Sequence, residues 1–194
     1  LNHYVNDLRT AVRAISPTPI VIGHSMGGYI TQLYLNRWQL PGAVLLASIP
    51  VHGTLGFMLR NAQRNPVAML KSIATFDMRQ IVGTPDLARE AFFRPDVDPA
   101  LLQRAFDQLG SESLLVALEA ALWLKPDPTK TQTPLLVIAA ERDAIFTLDE
   151  EHTTANAYNV PLHVIPEAAH DVMLDPAWHH AADLIEEFSA KAER

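Results

Sequence analysis

Cysteine is absent from the 194 residues, so no disulfide framework and no thiolate metal site is available to this chain. That fits a reducing compartment. No apolar run approaches the roughly 18–20 residues of a membrane span. The start, Leu1-Asn2-His3-Tyr4, has neither the basic region nor the apolar core of a signal peptide. A cytoplasmic location follows as the expectation. No basic cluster stands out: 15 basic against 22 acidic residues give a net charge of −7. That balance argues against a nucleic-acid partner and against an anionic membrane surface. What remains is a hydrophobic content of 48%, near the globular average and enough for a core.

The densest information lies in Pro19-Ile20-Val21-Ile22-Gly23-His24-Ser25-Met26-Gly27-Gly28. A β-branched apolar run leads into a G-x-S-x-G pentapeptide, and a helical pattern follows it. In that context the serine sits on a tight turn between strand and helix. The backbone there is strained, so the residues two before and two after it are expected to be small, which Gly23 and Gly27 satisfy. The turn lifts the Ser25 hydroxyl above the sheet and points the Met26 N–H at a helix start, where negative charge is favoured.

Helical spacing predicts an amphipathic helix over Tyr4 to Ile15, ended by Ser16-Pro17-Thr18-Pro19. Ile20 to Gly23 and Ala43 to Ala47 read as buried strands, with a helix from Gly27 to Trp38 between them. In that helix Gln32, Asn36 and Arg37 are assigned to faces away from Ile30, Leu33 and Tyr34. Such a βαβ unit implies a parallel sheet covered on both faces. From Ser48 to Pro126 no strand-like run occurs. Short helical patterns over Leu55–Gln63, Pro66–Phe76, Pro85–Phe93, Pro99–Leu109 and Ser113–Leu124 follow one another, rich in Phe and Met. A helical insertion over about residues 53–126 is expected to form a cap over the carboxyl ends of the strands. Strands resume at Leu135–Ala140 and Pro161–Ile165, separated by a helix near Leu148–Tyr158. A last helix begins near Pro176. Residues 1–194 form one domain in this reading.

A serine hydroxyl needs a base to take its proton and a third group to orient that base. Asp143 follows the third strand and His170 the fourth, so both belong to the edge that carries Ser25. Glu141 is the nearest competitor for the acid, and Asp149 fits the start of the next helix. Among other histidines, His24 is expected to point away from Ser25 on the strained turn. His163 lies within a strand, and His179 and His180 lie on the last helix. No His-x-x-x-His pair accompanies them, so no metal is expected, and no other cofactor is called for.

Gly23-His24-Ser25-Met26-Gly27-Gly28, Glu141-Arg142-Asp143 and Ala169-His170-Asp171 together resemble the α/β-hydrolase superfamily, in its serine-hydrolase group with a helical cap. The order Ser25, Asp143, His170 is the order of that arrangement. The resemblance implies an α/β fold with a parallel sheet, flanking helices and an inserted cap. It also implies Ser25 as nucleophile, Asp143 as acid, His170 as base, and the Met26 N–H as one oxyanion donor. Esterases and lysophospholipase-like or monoacylglycerol-lipase-like enzymes share these features, so the expected substrate is a small or medium apolar ester. A C–C bond hydrolase or amidase would use the same residues. A non-catalytic binding protein could keep the fold. Serine at position 25 disfavours a dehalogenase or an epoxide hydrolase.

In such folds about four strands and a His-Gly-type loop precede the nucleophile strand. Here only 24 residues precede Ser25, so the chain reads as the C-terminal part of a longer protein. The second oxyanion donor would lie in that absent half. Ile20-Val21-Ile22 is then expected to form an open sheet edge.

Overall fold

A computed structural model describes residues 1–192. Four strands, β1 (Val21–His24), β2 (Ala43–Leu46), β3 (Leu135–Ala140) and β4 (Leu162–Ile165), form one sheet in the order β1-β2-β3-β4. Every pairing is parallel, so all four strands deliver their following loops to the same edge. The strands are short, and β2 is buried at every position. That is the burial expected of a parallel strand covered on both faces.

Helix α1 (Asn2–Ala14) packs on α2 (Met26–Leu35), the helix that follows β1. Val5 and Val12 of α1 join Tyr29, Leu33, Tyr34 and Leu35 of α2 in the largest apolar cluster. On the other side of the sheet, Val44, Leu46, Leu136, Ile138 and Ile165 pack with Ala181. Ala181 belongs to α9 (Trp178–Ala192). Helix α8 (Leu148–Ala157) connects β3 to β4.

Between β2 and β3 the chain forms five α-helices. They are α3 (Leu55–Arg64), α4 (Pro66–Thr75), α5 (Pro85–Phe92), α6 (Pro99–Gln108) and α7 (Leu114–Leu122). Their starts are written locally. Pro66, Pro85 and Pro99 are first-turn residues, where a missing N–H costs nothing. Asn65, Thr84 and Asp98 precede them and accept hydrogen bonds from Ala68, Leu87, and Ala100 with Leu101. Those bonds satisfy N–H groups that have no intrahelical partner. A single antiparallel bridge, Asp77 to Ser113, lies in this segment. No helix among the described residues is long and apolar enough to cross a membrane.

Strand β1 is an edge strand among the described residues, and Ile22 on it is exposed. Gln32 differs. It is fully buried, because its side-chain amide donates to Ser48 Oγ and to the Ile49 carbonyl at 2.9 Å each. A polar residue on a helical pattern reads as surface unless its partners are known, and these partners lie 16 and 17 residues away.

Candidate active site

Ser25 caps the N-terminus of α2 with φ 51° and ψ −118°. A non-glycine residue at such angles is strained by about 1–3 kcal/mol, and only a surrounding structure that fixes it sustains the conformation. The fixing bonds are visible. The Ser25 N–H donates to the Leu46 carbonyl at 3.1 Å, and the Ser25 carbonyl accepts from Ile49 N at 3.0 Å and Gly28 N at 3.1 Å. The buried Gln32 amide holds the Ser48-Ile49 end of this clamp.

The glycines around the serine have unequal duties. A Cβ on Gly23 would lie 2.5 Å from the Gly27 carbonyl oxygen, and one on Gly28 would lie 2.3 Å from Ser48 Oγ. A Cβ on Gly27 would meet no atom within 4 Å. The sterically required pair is therefore Gly23 and Gly28, which corrects the expectation for Gly27. The turn crosses its own strand at Gly23 and the loop after β2 at Gly28; Gly27 points into open space.

Asp143 lies in the turn just after β3. Its Oδ1 accepts from the N–H groups of Ile145 and Phe146 at 2.7 and 3.0 Å. Its Oδ2 accepts from His170 Nδ1 at 2.7 Å. Both side chains of this pair are almost wholly buried. Because Nδ1 carries the donated proton, His170 Nε2 is left as an acceptor. Glu141 takes a different place: its carboxylate accepts from the Glu167 N–H at 2.8 Å on the exposed rim. Asp149 occupies the first turn of α8, which Thr147 and Glu150 close with a capping box.

His24 turns its ring to His170, a neighbour that sequence reasoning did not assign to it. Its Nε2–H donates to the His170 carbonyl at 3.0 Å, and the two rings lie 4.8 Å apart. The loop after β4 folds back over the end of β1, a return that no local pattern in the sequence announces. Burial, and after it the nearby charge of His170, lowers the His24 pKa to about 4. His24 is therefore neutral near pH 7. Phe92 and Phe146 flank His170 from other sides, at ring distances of 5.9 and 5.6 Å.

Ser25 and Met26 open onto a cavity of about 400 Å³. Phe57, Met78, Phe92 and Phe146 supply much of its apolar wall. Phe57 lies on α3 and Phe92 ends α5, so the inter-strand helices form one side of the cavity. Arg64, Arg79, Glu90 and Glu112 are the charged residues of its lining. The structure thus brings Asp143 and His170 together, and sets Ser25 and Met26 at the same sheet edge. Ser25 and His170 make no hydrogen bond with each other. Such contacts are often long without substrate and tighten only in the Michaelis complex.

One group could be considered for a metal. Ligand atoms of His24, His170 and Asp171 lie within 4.8 Å of one another. The His24 Nε2 and His170 Nδ1 are already committed, to the His170 carbonyl and to Asp143. The donor set reads as a hydrogen-bonded arrangement of two histidines.

A second carboxyl is buried nearby. Glu151, on α8, is 1% exposed, and neither carboxylate oxygen has a hydrogen-bond partner among the described residues. Burial, then the charges of Asp143 and Glu150, push its pKa well above the ordinary carboxylate range.

The strained serine at a strand–helix turn, with later-strand acid and histidine at one edge, defines a class of fold and site. Residues 1–182 match the model of the Alpha/beta hydrolase family, and the chain belongs to that family. Solved structures agree on the fold. A thermophilic esterase superposes with a TM-score of 0.61 at 20% identity, over 98% of this chain and 73% of that one. A candidate non-heme bromoperoxidase, BpoC of Mycobacterium tuberculosis, gives 0.69 at 20% identity, over 97% and 73%. A structure from a study of carboxylesterases of Nitrososphaera gargenis gives 0.66 at 16% identity, over 99% and 72%. No curated protein matches the sequence.

Proposed function

We propose that this chain is a serine hydrolase that cleaves a small or medium apolar carboxylic ester through an acyl-enzyme. The observation that carries the reading is the buried His170–Asp143 bond of 2.7 Å at the edge where a strained Ser25 faces an apolar cavity. The family membership supports hydrolysis in general, and the lining of the cavity supports an apolar substrate.

In this reading His170 Nε2 takes the proton of the Ser25 hydroxyl as Ser25 Oγ attacks the ester carbonyl. Asp143 keeps His170 in the Nδ1–H tautomer and stabilises the imidazolium that forms. The carbonyl oxygen becomes an oxyanion, which the Met26 N–H meets. As a first-turn residue of α2, Met26 has no intrahelical acceptor for that N–H, and the helix N-terminus favours the negative charge. His170 then returns the proton to the leaving alcohol. Water, deprotonated by the same nitrogen, releases the acid and frees Ser25. Helices α3–α7 act as the cap, with Phe57 and Phe92 contacting the acyl chain.

Fluorophosphonate labelling tests the chemistry, and p-nitrophenyl esters of graded chain length test the substrate class. The reading expects adduct at Ser25 and a preference for short or medium acyl chains. Absence of adduct on a folded protein favours a non-catalytic role for the fold.

A further inference from the structure

Helix α4 turns its apolar residues outward. At 100° per residue, Ala68, Met69 and Ser72 share one arc of the helix and are buried, facing Met78, Ile81 and Leu114. The remaining arc carries Val67, Leu70 and Ile73, and these are 62%, 66% and 51% exposed. Phe76, just past the helix end, is 62% exposed and held at φ 54°, a conformation that bulky residues rarely adopt. Scattered exposed apolar residues need no explanation, but a whole helix arc of them marks an interaction surface.

Two basic residues border this face, Arg64 just before α4 and Lys71 on it, and Asp77 follows Phe76 at its far end. Arg60 is paired with Glu150 of α8. Arg64 and Lys71 are exposed, and neither forms an ion pair among the described residues. Lys71 lies on the same arc as Val67 and Leu70. The overall charge count, which speaks against an anionic surface, conceals this local balance.

We propose that the outer face of α4 docks on a lipid bilayer carrying anionic headgroups. Val67, Leu70, Ile73 and Phe76 enter the headgroup boundary while Lys71 and Arg64 remain at headgroup level, the division that interfacial helices use. A second copy of the chain fits less well, because neither α4 carries a carboxylate to pair the Lys71 of the other. Arg64 and Asn65, at the α3–α4 junction, also line the cavity that contains Ser25. Docking would bring this part of the cavity wall to the lipid.

The test is co-sedimentation of the full chain with vesicles of phosphatidylcholine containing about one-third phosphatidylserine, against vesicles of phosphatidylcholine alone. The proposal expects pelleting with the anionic vesicles at least about tenfold stronger than with the neutral ones, and lost in about 0.5 M NaCl. Leu70→Ser combined with Ile73→Ser, both exposed, should reduce it at least about tenfold. Lys71→Glu should abolish the preference for phosphatidylserine while circular dichroism stays that of the parent. Equal pelleting of the variants and the parent, or no pelleting at all, overturns the proposal. So does a concentration-dependent dimer that the Ser substitutions dissolve without any vesicle binding, which would make the face a contact between copies.

Discussion

The Nε2–H of His24 donates to the carbonyl of His170 at 3.0 Å, so the residue before the strained serine holds the loop that carries the partner of Asp143. Burial lowers the pKa of His24 to about 4, against about 6.5 for a free histidine. An unfolded chain therefore takes up a proton at this position as pH falls below about 6.5, and the folded chain does so only near 4. Stability contributed by neutral His24 is present at pH 7 and is lost as pH falls through that window. His24→Gln keeps a donor and removes the titration. The stability of the parent relative to this variant should fall by on the order of 2 kcal/mol between pH 7 and pH 4, allowing for partial solvent access. Urea unfolding of both proteins across that range measures it.

Glu151 titrates with the opposite consequence. Its folded pKa is raised, so the folded chain holds the proton after the unfolded chain has released it. Stability is then lost as pH rises above the ordinary carboxylate range. Glu151→Gln is nearly isosteric and cannot ionise. Thermal unfolding should show the two proteins alike near pH 4 and the Gln variant increasingly more stable toward pH 8. A constant difference across the range would contradict a protonated Glu151.

Gly27 and Gly28 can be separated by substitution. Gly27→Ala meets open space on a helix and should leave stability unchanged or raise it by about 0.5–1 kcal/mol. Gly28→Ala drives a Cβ into Ser48 and should cost about 1–3 kcal/mol as overpacking. Adding Ser48→Gly to Gly28→Ala should recover much of that loss. Chemical denaturation of the three variants decides between this assignment and one based on motif spacing.

Gln32 is a test of the clamp on the strained turn. Gln32→Met keeps the volume and removes the donor to Ser48 Oγ and the Ile49 carbonyl. Ser48 Oγ still donates to the Ile49 carbonyl at 2.9 Å, so the loss is that of the two amide hydrogen bonds, about 1–3 kcal/mol together. If the clamp also positions Ser25, ester turnover should fall further than the loss of folded protein explains, with KM less affected than kcat.

Much of this architecture is legible because the chain marks it locally. Pro66, Pro85 and Pro99 each open a helix, and each follows a residue whose side chain caps it. The continuous apolar runs at Ala43–Ala47 and Leu135–Ala140, each just after a proline-marked break, read as buried strands. Asp143 and His170 come together because consecutive parallel strands bring their following loops to one edge. What could not be read depends on returns from distant chain. Gln32 is buried because the loop after β2 comes back to it, and His24 faces His170 because the loop after β4 crosses β1. Gly28 is constrained by Ser48, twenty positions on, whereas the spacing of the motif points to Gly27. The outward face of α4 escapes notice for a related reason: the helical pattern over Pro66–Phe76 does not say which of its sides the neighbouring elements cover.

The central claim is that Ser25, His170 and Asp143 form one catalytic unit. The most direct measurement is mass-spectrometric mapping of fluorophosphonate adduct, paired with turnover of a short p-nitrophenyl ester, on the parent, Ser25→Ala and Asp143→Asn. The account predicts a single adduct at Ser25, none on Ser25→Ala, and a fall of about 10⁴ in kcat for Asp143→Asn, because asparagine at 143 favours the wrong tautomer of His170. Adduct at another residue, or full turnover in either variant with its fold intact, would contradict it.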